Sequence, residues 1–239
     1  MDTRQDYLLL RLEAPLMSFG APMVDAIGRT ARLPGQAQLV GLLGNALGYS
    51  HAEAAALADL QQRLRFGAAL VRAGTMYRDY QTVDLGRPHL VDKGWTTRAQ
   101  REERKGASGE STHIRERWYL ADAQILVALT LAEAGSPDLD DLAAALDRPA
   151  RPLFIGRKPC LPTYPLRLGP VIRGATYQDA MMEGLTRLGA AGADEIEVDA
   201  RFDPKATETD SRTDLRDWRS QLHNASRMVV RSSGWRSSQ

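Results

Sequence analysis

A stretch of the chain that lacks acidic residues, from Arg148 to Arg173, concentrates positive charge. The whole protein has a formal net charge of only +1, yet this stretch carries six cations: Arg148, Arg151, Arg157, Lys158, Arg167 and Arg173. Arg157 and Lys158 are adjacent and are flanked by Gly156 and Pro159, residue types that favour a tight turn. Cations held beside such a turn suit the binding of a polyanion, including a nucleic acid. Solvated loop cations are the alternative, and the composition of the stretch favours neither.

A second basic segment, residues 85–117, is too polar to belong to a core. Its cations are Arg87, Lys93, Arg98, Arg101, Arg104, Lys105, Arg115 and Arg117. Four glutamates partly neutralise them: Glu102, Glu103, Glu110 and Glu116. We predict an exposed excursion, a β-hairpin or loop that projects from a sheet. It could be a nucleic-acid clamp, and the alternative is a solvated surface insertion.

The histidines and the single cysteine exclude several kinds of site. His51, His89, His113 and His223 stand apart from one another, and no metal-binding motif contains them. Cys160 cannot form an internal disulfide, and we expect it to be a small buried residue rather than a nucleophile. The sequence therefore predicts neither a metal nor a cofactor, and it fits a reducing cytoplasm.

The composition is that of an ordinary globular protein. With 43% hydrophobic and 26% charged residues, the chain of 239 residues has enough apolar side chains for a core. No window approaches the roughly 18 consecutive apolar residues of a membrane span. The residues before Tyr7 are too few and too charged for a signal peptide.

Several elements must position the cations. An apolar run predicts a buried first strand at Tyr7–Ala14. Glycines and prolines between Leu16 and Gly35 predict a long loop, which carries Arg29 and Arg32. Apolar periodicity then predicts helices and strands, in this order: a helix from Gln38 to a stop at Gly48, a helix over Glu53–Arg65, and strands at Phe66–Arg72 and Met76–Val83.

The second half of the chain predicts a central strand at Trp118–Leu131 and a helix at Asp138–Leu146. The basic stretch adds an apolar strand within Leu153–Pro162. This order is similar to the β-α-β-β-α-β layout of ferredoxin-like folds, which commonly present an open sheet to RNA. We therefore predict an α+β fold with a core of residues 1–84 and 118–173 and the basic excursion of residues 85–117. An acidic and smaller C-terminal subregion, residues 174–239, completes the chain.

Five segments, in order and over roughly residues 7–170, match the motifs of one protein family. They are Leu10–Gly20, Arg29–Pro34 with Gly41–Gly44, Arg78–Val83, Tyr119–Ala123 and Leu153–Pro162. Together they resemble the CasD (Cas-five) subunits of Cascade, the type I-E CRISPR surveillance complex. Any one segment is a weak signal, whereas five in order are specific.

The resemblance implies a ferredoxin-like, RRM-related core with a projecting β-hairpin "thumb", which corresponds to residues 85–117. It also implies a non-catalytic RNA-binding subunit of an antiviral ribonucleoprotein complex. Such a subunit holds the 5′ handle of crRNA at one end of a filament. Its implied partners are the Cas-seven backbone subunit and the large subunit, and it meets target DNA only through the complex.

Mapped onto this chain, the family motifs imply ten RNA-binding residues: Arg29, Arg32, Arg78, Tyr80, Arg101, Arg104, Lys105, Arg115, Arg157 and Lys158. Arg29 and Arg32 would face handle phosphates or a neighbouring subunit. Tyr80 would stack on a base, and the alternative is a half-buried tyrosine of the sheet. The family commonly has other residue types where this chain has Gln36 and Gln81.

Two rival functions follow from the same residues. Relatives in another CRISPR subtype process their precursor crRNA and resemble one another in an adjacent Lys-His pair with a tyrosine. Here Lys105 and His113 are separated, but a metal-independent CRISPR repeat RNA endonuclease remains the alternative. An RRM-like protein that acts alone is disfavoured, because the chain lacks the aromatic octapeptide of such domains.

Overall fold

Helices and strands are interleaved in the computed structural model of this protein, which describes residues 4–24, 26–84, 94–95, 101–102, 112–202 and 206–236. The strands are β1 (Gln5–Glu13), β2 (Leu16–Met17), β3 (Phe19–Val24), β4 (Ile27–Ala31), β5 (Leu64–Arg72), β6 (Thr75–Asp84), β7 (Gly94–Trp95), β8 (Arg101–Glu102), β9 (Thr112–Ala121), β10 (Gln124–Leu131), β11 (Ile172–Ala175), β12 (Gly192–Asp199), β13 (Asp210–Asp217) and β14 (Leu222–Arg236). The α-helices are α1 (Gln36–Leu47), α2 (Ala54–Arg63), α3 (Leu139–Asp147) and α4 (Tyr177–Leu188). The mixed α+β class predicted from the sequence is confirmed.

The main sheet has seven strands in the order β11-β1-β10-β5-β12-β14-β13. Its central ladders are antiparallel, and β1 pairs with β10 from Leu8 opposite Leu129 to Glu13 opposite Gln124. These strands are apolar on both sides because both faces of the sheet are covered. A short apolar run in the sequence therefore became a fully buried strand.

Alternation along β1 divides the interior into two cores. Leu8, Leu10 and Leu12 point to one face, where they pack with residues of α1, α2 and α3. Leu9 points to the other face, where α4 covers it with Met181 and neighbouring residues. The sheet face that lies opposite α1 and α3 is thus closed in this protein, whereas ferredoxin-like RNA-binding domains leave it open.

A second sheet stands apart from the main one and has the order β2-β9-β4-β3. β6 joins it by pairing with β9 along its whole length, from Thr75 opposite Ala121 to Asp84 opposite Thr112. β9 begins at Thr112, so residues 112–117, predicted to belong to the excursion, are part of this ladder. Most of the segment between β6 and β9 lies outside the described residues, apart from β7 paired with β8.

The long loop predicted between Leu16 and Gly35 was wrong. This segment forms β2 and the β3–β4 hairpin, in which Phe19 lies opposite Ala31. β3 is the edge strand of its sheet, and an edge strand tolerates Pro22 because one row of its amides needs no partner strand. Glycine and proline therefore indicated edge position here rather than the absence of a strand.

Two strand predictions in the second half also need correction. The single strand predicted at Trp118–Leu131 is broken at Asp122, whose φ is +56°, into β9 and β10, which belong to different sheets. The apolar strand predicted within Leu153–Pro162 is an irregular loop. Its backbone groups pair within the loop, where the Ile155 amide donates to the Cys160 carbonyl at 2.8 Å. Apolar composition alone did not distinguish the buried loop from a strand.

The helix ends follow the predicted signals. Gly48 ends α1 in the left-handed conformation, with φ +88°. Asp138 caps α3 and accepts a hydrogen bond from the Asp141 amide at 2.8 Å, as predicted for the start of that helix. In the described ranges, no helix has both the length and the apolar character needed to cross a membrane.

The C-terminal part contains elements that the sequence did not predict. β12 pairs with β5, and β14 continues the same sheet. β13 and β14 form a hairpin, of which the sequence indicated only a short strand near Met228. Residues 174–236 therefore add strands to the sheet that β1 begins. The predicted division at residue 174 concerns folding units, and it stays a prediction.

Candidate nucleic-acid interface

The ladder between β6 and β9 brings together two of the predicted RNA-binding residues. Arg78 lies opposite Trp118, and Tyr80 lies opposite Glu116. Residues two apart in a strand share a face, so all four side chains belong to one face of the ribbon. The contacts of Arg78 agree with this shared face: its guanidinium lies 6.0 Å from the Trp118 ring and 3.4 Å from the Glu116 carboxylate.

β4 adds a third predicted residue to this face. Ile27 pairs with Glu116 in the parallel ladder between β4 and β9, and Arg29 follows two positions later. The side chain of Arg29 is exposed, as is that of Tyr80, which is 51% exposed. We call the resulting surface the ribbon face, and its residues are Ile27, Arg29, Arg78, Tyr80, Ile114 and Trp118.

The ribbon face has the chemistry of a single-stranded nucleic-acid surface. Two guanidinium groups, of Arg29 and Arg78, are available to phosphates, although Glu116 partly neutralises Arg78. Tyr80 and the half-buried Trp118 offer rings on which bases can stack. The combination of cations with exposed aromatic and aliphatic side chains is what a splayed RNA strand requires.

The opposite face of the ribbon holds Arg115, which lies across from Gln81. The fold therefore does not bring Arg115 together with Arg78 and Tyr80. Gln81 is exposed and donates to the Asp79 carboxylate at 2.6 Å. Tyr77 is also on this face and is 49% exposed, which makes it a natural counterpart of Tyr80.

The loop that carries Arg157 and Lys158 is held rigidly. Gly156 has φ +97°, and a Cβ there would overlap the Ser18 carbonyl oxygen, so only glycine fits. The Ser18 amide donates to the Ile155 carbonyl at 3.2 Å. These contacts fix the loop against the start of β3, as the predicted glycine turn requires.

Arg157 and Lys158 have different environments. The Arg157 guanidinium is half-buried and donates to the Trp118 carbonyl at 3.1 Å and to the Gly28 carbonyl at 3.2 Å. Its plane lies over the Tyr119 ring, 4.8 Å from the centroid. Lys158 is exposed. The two adjacent cations therefore cannot be treated as one site.

Three other cations of the acid-free stretch are bound within the chain. Arg151 donates to the Asn45 side chain at 2.9 Å and to the Tyr49 carbonyl. Arg167 pairs with Asp147, and Arg173 bridges two carboxylates, those of Asp6 and Asp140. Carboxylates therefore neutralise two cations of the stretch, Arg167 and Arg173, whereas Arg151 binds uncharged groups.

The remaining predicted residues lie elsewhere. Arg32 is exposed and is 3.5 Å from the Glu195 carboxylate of β12. Arg101 belongs to β8. Arg104 and Lys105 fall outside the described residues, so their placement stays a prediction.

Gln36, where the family commonly has another residue type, and Cys160, the single cysteine, are both buried. The Gln36 side chain donates to the Gln61 and Leu64 carbonyls inside the protein. Burial raises the pKa of the Cys160 thiol, which suits a structural residue rather than a nucleophile. Over the part of the chain that the structure covers, no group of three or more His, Cys, Asp or Glu side chains could hold a metal ion.

The sequence reasoning missed Trp118, Ile27 and Ile114 as surface residues of the interface. The signal was present in β9, where Ile114, Glu116 and Trp118 occupy alternate positions beside a polar segment. The sequence pattern instead predicts Trp118 in a central strand and Ile114 in the excursion. Recognition of a single ladder with β6 would have placed them on the face of Tyr80.

Comparisons with known proteins agree with this fold and these motifs. The family model described as CRISPR-associated protein (Cas_Cas5) matches residues 7–230. The CRISPR system Cascade subunit CasD of Escherichia coli (strain K12) is 32% identical over 165 residues, which span 69% of this chain and 71% of the relative.

Two solved structures share the fold. One, described as a CRISPR RNA-guided surveillance complex, has a TM-score of 0.71 at 24% identity and covers 96% of this chain and 90% of its own. The other, a crystal structure of a Cas protein, has a TM-score of 0.61 at 24% identity and covers 96% and 95%. The match of the family model over most of the chain confirms the resemblance of the five segments, and the chain belongs to the Cas5 family of CRISPR-associated proteins.

Proposed function

We propose that this protein is a non-catalytic RNA-binding subunit of a type I-E CRISPR surveillance complex, where it caps and holds the 5′ handle of crRNA. As part of this complex, it would serve crRNA-guided DNA targeting in antiviral defence, in the cytoplasm. The observation that carries the proposal is the ribbon face, on which Arg29, Arg78 and Tyr80 share one exposed surface. The name of the CasD relative, a Cascade subunit, supports the assembly part of the proposal.

The closed main sheet strengthens the assignment of the ribbon face. α4 covers the sheet face that RRM-related domains use for RNA. This covering favours a different RNA surface in this protein. β6 ends at Asp84 and β9 begins at Thr112, so residues 85–111 connect the two strands of the ribbon. We propose that the RNA contacts extend into the thumb at Arg101, Arg104 and Lys105, and that Arg115 contacts RNA from the opposite face of the ribbon. Arg32 and Lys158 would contact RNA at the margin.

We assign the core of the main sheet to the ferredoxin-like class. β11, β1, β10 and β5 are neighbours in that order, and helices connect β1 to β5 and β10 to β11. β1 and β5 are parallel to each other with β10 between them, which is the split βαβ arrangement of this class. The C-terminal strands extend the sheet beyond β5.

The partners we propose are the Cas-seven backbone subunit and the large subunit of the complex, with target DNA reached only through them. An apolar groove beside α1 is a surface that a neighbouring subunit would cover. It is lined by Gly41, Phe154 and Trp218, and Gly41 leaves its floor open.

The non-catalytic assignment has a direct test against the endonuclease alternative. RNA cleavage without a metal needs a base for the 2′-hydroxyl and an acid for the leaving oxygen. We expect no cleavage of repeat RNA in a single-turnover assay. Metal-independent cleavage that is lost in His113→Ala would replace this proposal with the alternative.

Tyr80 and Tyr77 provide a matched pair of variants for the RNA-binding proposal. They are similarly exposed on opposite faces of β6, so truncation costs the fold similar amounts. Loss of a base stack lowers affinity by about 1 to 3 kcal/mol, so we expect Tyr80→Ala to weaken binding of a 5′-handle RNA about tenfold or more. Fluorescence anisotropy measures the affinity.

The expected result for Tyr77→Ala is an affinity close to that of the wild type. Equal losses in the two variants would show that the ribbon face is not the RNA surface. Wild-type protein that binds the handle RNA no better than a scrambled RNA, and does not join the complex on co-expression, would contradict the proposed function itself.

A further inference from the structure

The contact between β4 and β9 is unusually short. Their parallel ladder has two register pairs, Ile27 with Glu116 and Gly28 with Arg117. Parallel pairing is slightly weaker per residue than antiparallel pairing, and two pairs alone form a weak connection. Yet this connection sets where Arg29 stands relative to Arg78 and Trp118 on the ribbon face.

Arg157 joins the two strands at this point from the opposite face. One nitrogen of its guanidinium donates to the Gly28 carbonyl of β4, and the other donates to the Trp118 carbonyl of β9. The glycine at position 28 gives the guanidinium room, because a Cβ there would lie 3.1 Å from its nitrogen. The planar fork of arginine can reach two carbonyl groups at once, which a lysine ammonium cannot do in the same geometry.

The surroundings of the Arg157 guanidinium do not suit a phosphate. Its two terminal nitrogens already face carbonyl oxygens, which carry partial negative charge, and its plane lies over the Tyr119 ring. Gly156 and the loop hydrogen bonds hold the side chain at this position. Adjacent Lys158 is exposed and has no such restraint.

We infer that Arg157 is a positioning residue: it fastens β4 to β9 and so sets the spacing of the ribbon face, while Lys158 is the cation of the pair that is free to meet RNA. The sequence had predicted both as RNA contacts. This inference rests on the proposed function and refines which residues of that site touch the ligand.

Arg157→Lys and Arg157→Ala separate positioning from direct contact. Arg157→Lys keeps the charge but loses the planar guanidinium that binds both carbonyl groups. We therefore expect affinity for the 5′-handle RNA to fall about tenfold. Arg157→Ala should lower affinity similarly while the slope of log affinity against log salt stays at its wild-type value. A direct phosphate contact would instead leave Arg157→Lys near wild type and reduce the slope in Arg157→Ala by about 0.7.

Hydrogen exchange of the full chain without RNA tests the fastening independently. The Glu116 amide donates to the Ala26 carbonyl at 3.1 Å, so a looser β4–β9 contact exposes it. We expect faster exchange in peptides covering residues 112–121 in Arg157→Lys and wild-type exchange in Lys158→Ala. Unchanged exchange in Arg157→Lys overturns the inference, whether or not the protein binds the handle RNA.

Discussion

The arginines of this protein differ in what they do according to the oxygens around them. Arg157 is bound to two backbone carbonyls and Arg173 to two carboxylates, so both are committed to the fold. Arg29 is exposed on the ribbon face and is available to a ligand. A cation in the sequence therefore predicts RNA binding only after its internal partners are known.

Glu13 provides a test of such internal pairing through pH. Burial raises the pKa of its carboxyl, but hydrogen bonds from Gln124, Arg11 and Arg72 outweigh burial, and the net pKa is lowered. A carboxyl with a lowered pKa stabilises the folded protein at pH values above its pKa in the unfolded chain, about 4.3. This stabilisation is lost as the pH falls through the pKa of the carboxyl in the folded protein. We expect Glu13→Gln to cost about 1 kcal/mol at pH 7.

Urea unfolding at a series of pH values measures this effect. The difference in unfolding free energy between wild type and Glu13→Gln should close below about pH 4. Glu183→Gln is the control, since it removes an exposed pair with Arg187 worth at most about 0.5 kcal/mol. A gap for Glu13→Gln that is the same at pH 7 and pH 3 would contradict the account.

The candidate site was predicted from sequence as far as local pattern reaches. Arg78 and Tyr80 were predicted on one strand and lie on β6, whereas Arg29 was predicted in a loop and lies in β4. The partners of Arg157 could not be predicted, because the Gly28 and Trp118 carbonyls are distant in sequence and carbonyl groups leave no residue signature. Residue type showed which side chains are charged, and only the fold showed which of them have partners within the protein.

Among the helices and strands, the sequence predicted correctly those features that depend on residues within the same element. α1 ends at Gly48 and α3 starts at Asp138 because the capping groups are local. The β3–β4 hairpin and the β13–β14 hairpin were missed because their stability comes from strands elsewhere in the sheet. Strand pairing is a long-range property, and short polar strands carry little periodicity to reveal it.

The β13–β14 hairpin stabilises the start of α1, where Gly35 offers no capping side chain. Asp214 takes that role from a distance, and it accepts a hydrogen bond from the Gln36 amide at 3.0 Å. It is also paired with buried Arg227 at 3.0 Å. Removal of the carboxylate leaves the buried Gln36 amide without an acceptor and takes one of two carboxylate partners from Arg227, which keeps Glu197 at 3.0 Å. We therefore expect Asp214→Ala to cost about 2 kcal/mol.

Chemical unfolding followed by circular dichroism checks this prediction, with Asp210→Ala as the control on the same strand. Asp210 is exposed and pairs with Arg231 at 3.3 Å, so its removal should change stability by no more than about 0.5 kcal/mol. Equal effects of the two variants would show that the hairpin does not brace α1.

At the scale of the whole molecule, both faces of the main sheet are covered, and we therefore assign the proposed RNA surface to the second sheet. α1, α2 and α3 cover one face and α4 covers the other. The ribbon of β6 and β9 belongs to the second sheet and not to this body. In the proposed function, the main sheet is therefore a scaffold, and the ribbon presents the groups that bind RNA.

Ultraviolet crosslinking of the assembled, crRNA-loaded complex, read by mass spectrometry, tests this account most directly. Rings that stack on bases are favourable crosslinking sites, and Tyr80 and Trp118 stand on one face. We predict that peptides containing residues 75–84 and 112–121 carry nucleotides of the 5′ handle. The account is contradicted if those peptides carry no handle nucleotide while other subunits, or α4 of this one, are crosslinked to the handle.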